Sequence, residues 1–221
     1  MKLGRPSSLQ RTECRNSFQA LAGLQQEGTE GEVLVVKERR ADAKSLPKGN
    51  ILVVGDSQVR YLDRDFCARD RKRRTRVCFP GAGIGDVSVR VEECMAGEGV
   101  KPVICLHVGG NDVGRLGSEE LLRRFREALG RIRDKGGIPV VSGVLPRRRV
   151  GGMWHSRAIA VNCRLASHCK ANGWAFIDNW DRFYGKDYLY SRDGVHLSRA
   201  GVQLLADSLE RGVGTLQGFL G

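Results

Sequence analysis

The sequence lacks any apolar run long enough to cross a bilayer. Hydrophobic residues make up 41% of its 221 residues, yet the apolar runs near Ile51, Val103 and Ile138 are each only a handful of residues long. A spanning helix needs about 20 such residues. Residues 1–10 have no apolar run after their positive charges, so no secretory signal is visible. These absences predict an intracellular protein, cytoplasmic or nuclear, without a transmembrane segment.

Cysteine pairs at metal-binding or disulfide-framework spacing are also absent. The seven cysteines are odd in number and scattered through apolar runs, which indicates reduced thiols used in packing. His168 stands beside Cys169, but no second pair lies at ligand spacing. The sequence therefore predicts neither a metal nor a cofactor.

Positive charge is in excess, with a formal net charge of +12. Such a field attracts polyanions, and RNA or single-stranded DNA is the expected partner of this kind. The charge is concentrated in two clusters, whose candidate nucleic-acid contacts are Arg71, Lys72, Arg73, Arg74, Arg147, Arg148 and Arg149. A solvated charged face with no ligand explains each cluster equally well.

The chain divides into three parts. Residues 1–48 are polar and nearly free of apolar periodicity, which predicts a poorly ordered linker or tail. Residues 49–213 alternate short β-branched runs with helical patterns, and residues 214–221 form a C-terminal tail. The predicted strands are 51–54, 76–79, 103–108, 138–142 and 174–177, and the long helices 118–135, 153–172 and 198–211. This pattern predicts a three-layer α/β/α sandwich with a five-stranded parallel sheet, whose sites lie at the carboxyl ends of the strands.

The loop after the first predicted strand reads Gly55-Asp56-Ser57. A serine at the start of the following helix is either a nucleophile or a helix cap. Backbone N–H groups and the helix dipole at this position would stabilise an oxyanion.

Three further loops supply matching chemistry. A glycine-rich segment, PGAGIGD, follows the second strand and can bring backbone N–H groups close to a ligand. It could also be an altered dinucleotide-binding motif, but its last glycine lies one residue earlier than the G-x-G-x-x-G spacing requires. After the third strand, Asn111 in GGND either presents a side-chain donor or belongs to a simple turn. Near the end, Asp193 and His196 in DGVH are spaced so that the carboxylate can orient the imidazole.

These segments, in this order, resemble the four blocks of the SGNH (GDSL-like) hydrolase superfamily, whose fold is flavodoxin-like. The resemblance covers residues 50–212 and implies Ser57 as the nucleophile, with Asp193 and His196 completing the triad. It also implies an oxyanion hole formed by Ser57, Asn111 and Gly85, with Gly83 as the alternative to Gly85, because the second block lacks the usual asparagine. The stretches GDSQVRYLDRDFCARDR and NGWAFIDNWDRFYGKD are similar to the esterase domain of the first-open-reading-frame protein of LINE-type retrotransposons.

Two functions follow from these patterns. The first is a serine esterase that cleaves small acyl or lipid-type esters through an acyl-enzyme. The alternative is a non-catalytic, retrotransposon-derived module that binds nucleic acid electrostatically. The sequence specifies neither the acyl group and alcohol nor the oligomeric state, since it contains no coiled-coil repeat.

Overall fold

The computed structural model describes residues 49–216. Residues 1–48, for which the sequence predicts a linker, lie outside this range, as do residues 217–221 of the predicted tail. Within it, no helix combines the length and the apolar character needed to cross a membrane.

Five parallel strands form one sheet in the order β2-β1-β3-β4-β5. The strands are β1 (Ile51–Gly55), β2 (Arg74–Cys78), β3 (Val103–His107), β4 (Ile138–Ser142) and β5 (Ala175–Ile177). The chain moves from β1 to one neighbour, β2, and then returns to the other side of β1 to form β3. Ligands in such sheets bind outside the carboxyl ends of the strands where the order reverses. This switch point is between β1 and β3, the strands that lead into the GDS and GGND segments.

Helices cover both faces of the sheet. They are α1 (Leu62–Asp65), α2 (Ile84–Met95), α3 (Ser118–Asp134), α4 (Gly152–Ala171), α5 (Trp180–Phe183) and α6 (Arg199–Thr215). Buried side chains of α2, α3 and α4 share one core with one face of the sheet, and those of α1 and α6 share a second core with the other face. The predicted three-layer α/β/α sandwich is therefore confirmed.

Strand β1 shows why the strands are apolar throughout. Leu52 and Val54 point into the first core, whereas Ile51 and Val53 point into the second. Successive side chains of a strand face opposite sides, so a strand covered on both sides has no position for an exposed polar residue.

The helix boundaries follow local signals closely. Gly136, at φ +79°, follows α3 as predicted, and Ser198 caps α6 by accepting a hydrogen bond from the Gly201 N–H at 3.2 Å. The predicted cap of α3 is displaced by one residue, because Gly117 occupies the cap position and Ser118 begins the helix.

The cysteines in the described range include five free thiols, at Cys67, Cys78, Cys94, Cys105 and Cys169. Cys163 is in a disulfide, so the expectation of seven reduced cysteines is wrong at that position. Cys14 lies outside the described residues.

Candidate active site

Ser57 lies at the carboxyl edge of the sheet, directly after β1, and begins a short 3-10 turn, Ser57–Val59. The cap of this turn is Asp56, whose Oδ1 accepts a hydrogen bond from the Gln58 N–H at 2.9 Å. Strand β1 approaches β3 so closely here that a Cβ on Gly55 would lie 2.2 Å from the His107 carbonyl oxygen. Only glycine fits at this position. Since Asp56 supplies the cap, the Ser57 hydroxyl is left for another partner.

That partner is His196, from the loop before α6. Its Nε2 lies 3.0 Å from the Ser57 Oγ, and its Nδ1 lies 2.6 Å from Oδ2 of Asp193. The other carboxylate oxygen, Oδ1, accepts hydrogen bonds from the backbone N–H groups of Val195 and His196. Gly194, at φ +72°, makes the tight turn that brings these donors to the carboxylate. The structure thus joins the three predicted triad residues into one hydrogen-bonded chain.

The charge state of Asp193 determines which nitrogen of the His196 ring carries the proton. Its hydrogen bond with His196, followed by those from the backbone, lowers the pKa of the carboxyl to about 2. An ionised carboxylate accepts the proton on Nδ1, so the Nε2 of a neutral imidazole carries a lone pair toward Ser57.

The predicted oxyanion donors differ in whether their N–H groups already donate hydrogen bonds within the protein. The Gly83 N–H donates to Oδ2 of Asp86 at 2.9 Å, so it is engaged. Within residues 49–216 the Gly85 and Ser57 N–H groups have no hydrogen-bond partner. Gly85 is in the first turn of α2, where backbone N–H groups have no acceptor within the helix. These observations favour Gly85 over Gly83 as a donor.

The side chain of Asn111 is held from both ends. Its Nδ2 donates to the Ala82 carbonyl oxygen at 3.0 Å, and its Oδ1 accepts from Nη2 of Arg147 at 2.8 Å. An amide nitrogen has two hydrogens, so one N–H remains for a ligand. Asn111 is therefore more than a turn residue, because its amide is fixed by two other segments.

A buried polar chain lies beneath the site and was not predicted from the sequence. Gln58 donates through Nε2 to the Val195 carbonyl at 3.0 Å, and its Oε1 lies 3.2 Å from Nε2 of His107. Nδ1 of His107 lies 2.9 Å from Oγ of Ser142, which also accepts from Asn179 at 3.0 Å. Burial lowers the pKa of His107 to about 4, so the ring is neutral. This chain ties the Ser57 turn to the His196 loop.

Asp56 is an ionisable group in the interior beside Ser57. Burial, the largest effect, raises the pKa of its carboxyl to about 6, although the Gln58 N–H and the charges of Arg147 and His196 oppose the rise. The folded protein therefore binds this proton more tightly than the unfolded chain between about pH 4 and 6, so this contribution to stability is lost as pH rises through 6.

We expect Asp56→Asn to remove this part of the pH dependence. The amide oxygen can still accept from Gln58, but the buried side chain no longer ionises. The wild-type free energy of unfolding should fall, relative to that of the variant, by up to about 3 kcal/mol between pH 4 and pH 7. Urea unfolding at intervals across this range measures the difference, and parallel curves for the two proteins would show that Asp56 does not titrate there.

The structure removes several residues from the predicted basic clusters. Arg74 is buried, with Nη2 2.8 Å from Oε1 of Glu210 and its guanidinium over the Phe66 ring. Arg73 donates to Asp70 at 2.7 Å, and Arg148 pairs with Asp187 at 2.8 Å.

Arg147 is turned inward against Asn111. Exposed cluster positions remain at Arg71, Lys72 and Arg149. Among the seven candidate nucleic-acid contacts, the prediction for Arg74 is therefore wrong, because its side chain is buried.

The sheet order and the hydrogen-bonded serine, histidine and aspartate at its carboxyl edge define an SGNH-type hydrolase. The protein belongs to the GDSL-like Lipase/Acylhydrolase family, whose model matches residues 47–204. No match is found among curated proteins.

Solved structures include several with this fold. A GDSL-like lipase from Bacteroides thetaiotaomicron has a TM-score of 0.66 at 14% identity, over 76% of this chain and 89% of that one. A catalytic mutant of Axe2, an acetylxylan esterase from Geobacillus stearothermophilus, has a TM-score of 0.61 at 17% identity, over 77% and 96%. The esterase domain of the ZfL2-1 ORF1 protein from a zebrafish retrotransposon is 34% identical over 73% and 97%, with a TM-score of 0.42. This is the kind of domain that the sequence resembles.

Proposed function

We propose that this protein is a serine esterase that hydrolyses carboxylic esters through Ser57, His196 and Asp193. The observation that carries the proposal is the unbroken hydrogen-bonded chain from Asp193 through His196 to the Ser57 hydroxyl. A nucleophile within hydrogen-bond reach of a base, which is itself oriented by a third group, is the arrangement that activates a hydroxyl.

The reaction proceeds in two halves. Nε2 of His196 takes the Ser57 proton as Oγ bonds to the ester carbonyl carbon, and the resulting imidazolium protonates the departing alcohol. In the second half His196 deprotonates a water, which attacks the acyl-enzyme, and the proton returns to Ser57 as the acid leaves. Asp193 stays ionised in both halves and stabilises the imidazolium.

The negative charge on the carbonyl oxygen needs donors at each tetrahedral stage. The Ser57 and Gly85 N–H groups and the second Nδ2 hydrogen of Asn111 are available for this purpose. Proteins of the same fold include an acetylxylan esterase and a GDSL-like lipase, so the fold is compatible with either a small or a lipid-type acyl group.

The proposal is tested by hydrolysis of 4-nitrophenyl acetate and its longer-chain homologues, together with labelling by a fluorophosphonate. We expect turnover of at least the short esters, and a phosphonyl adduct that mass spectrometry locates on Ser57. An adduct on another residue, or hydrolysis without labelling, would contradict the assignment of the nucleophile.

Asn111→Ala should lower kcat by about 10²–10³-fold with a smaller change in KM, because the lost donor acts on charge that develops only in the transition state. Steady-state kinetics on 4-nitrophenyl acetate measure both constants. A rise in KM with unchanged kcat would instead assign Asn111 to ground-state binding.

A further inference from the structure

Arg147 places a guanidinium next to the candidate oxyanion hole. Its Nη2 donates to Oδ1 of Asn111 at 2.8 Å, and its Cζ lies 5.6 Å from the centroid of the Trp154 ring. It also packs against the GGND turn, because a Cβ on Gly110 would lie 3.0 Å from Nη2. The positive charge is therefore fixed one side chain away from the position of the reacting carbonyl.

This charge has no bonded counter-ion among the described residues. Asp56 and Asp112 act on Arg147 only through space, and burial lowers the pKa of the guanidinium. Its Nε is buried and has no hydrogen-bond partner within residues 49–216. Arg74 and Arg148, by contrast, are each paired with a carboxylate. A partly desolvated cation without a paired anion is costly, and a bound anion would offset that cost.

We propose that Arg147 binds an anionic oxygen group of the substrate, a carboxylate or a phosphate, close to the ester that is cleaved. The inference rests on the proposed function, because the donor role of Asn111 is what places the scissile carbonyl beside Arg147. A planar guanidinium suits both anions, since it offers two parallel N–H donors. The substrate class is thus an ester whose acyl part carries a negative charge within a few bonds of the carbonyl.

Three 4-nitrophenyl esters of equal chain length test this. The butyrate is neutral, the hemisuccinate carries a carboxylate in place of the terminal methyl group, and the 3-phosphonopropanoate carries a phosphonate there. We expect wild-type kcat/KM to be about 10- to 100-fold higher for at least one anionic ester than for the butyrate, as one charge-assisted hydrogen-bonded contact gives. The preferred ester shows whether Arg147 favours a carboxylate or a phosphate-like group. The background of each ester is measured with Ser57→Ala.

The Arg147→Gln variant should lose this preference, while its activity on the butyrate falls much less. The matched control is Arg115→Gln, which removes an exposed charge near enough to influence Arg147 and should change the preference by less than about 3-fold, as expected of a screened surface charge.

Three outcomes would overturn the inference alone: equal wild-type rates on all three esters, equal losses on all three in Arg147→Gln, or loss of the preference in Arg115→Gln. Equal losses would mean that Arg147 only orients Asn111. If wild type exceeds Ser57→Ala on none of the esters, the proposed esterase function itself fails.

Discussion

Replacing Ser57 by alanine should reduce kcat on 4-nitrophenyl acetate by about four to six orders of magnitude. The hydroxyl is the only group of the proposed mechanism that forms a covalent bond with the substrate, so no other residue substitutes for it. Its hydrogen bond with Nε2 of His196 is its one side-chain hydrogen bond within residues 49–216. The variant should therefore fold normally, and the loss should appear in kcat with little change in the thermal midpoint.

The matched control is Ser167→Ala, which removes an exposed hydroxyl of α4 whose hydrogen bond within residues 49–216 goes to the Cys163 carbonyl. We expect its kcat to stay within about 2-fold of wild type, as for most surface substitutions. Equal activity of the Ser57→Ala variant and wild type, with both proteins folded, would refute the serine mechanism.

The fold was predictable because its signals are local. Buried parallel strands read as short apolar runs, and glycines end the helices between them. The boundaries that differ depend on distant contacts. Strand β2 starts at Arg74 instead of the predicted Arg76, since the ion pair with Glu210 lets a charged residue be buried there. Helix α6 runs on to Thr215 and not to Arg211, because Val213 is buried in the second core.

The residues of the site also fall into two groups, those with a local sequence signal and those that depend on contacts distant in sequence. Ser57 and Asn111 were predictable because each stands in a short polar motif at the end of an apolar run, and Asp193 and His196 because DGVH immediately precedes the last helix. The buried chain was not, because its members are far apart in sequence: Gln58 and Val195 are 137 positions apart and His107 and Ser142 are 35. A polar residue at the end of an otherwise buried strand, as in β3 and β4, is the one signal that could have pointed to it.

The inward turn of Arg147 was equally hidden. In the sequence it is the first of three consecutive arginines, and nothing in that run distinguishes it from its neighbours. Only the fold shows that Arg147 lies against Asn111, that Arg148 pairs with Asp187 and that Arg149 is exposed. Charge counted along a chain therefore overestimates the charge available to a partner.

Asp193→Asn should lower kcat by about 10³–10⁴-fold, which is less than the loss expected for Ser57→Ala. Oδ1 of Asp193 accepts two backbone N–H groups, so an asparagine will keep its oxygen there and turn its NH₂ toward His196. The ring must then accept at Nδ1 and carry its proton on Nε2, which leaves no lone pair for the Ser57 hydroxyl. Steady-state kinetics measure the loss.

Because the pKa of Asp193 is lowered to about 2, the wild-type carboxylate is ionised throughout an assay range of about pH 5–9. The variant should therefore have a lower kcat than wild type at every pH in this range. Asp187→Asn is the matched control, since it removes an exposed negative charge that pairs with Arg148 near the same loop. Its kcat should change by less than about 3-fold, as for a surface ion pair. If Asp193→Asn keeps more than a tenth of the wild-type kcat, Asp193 does not orient the base, and His196 would have to act without it.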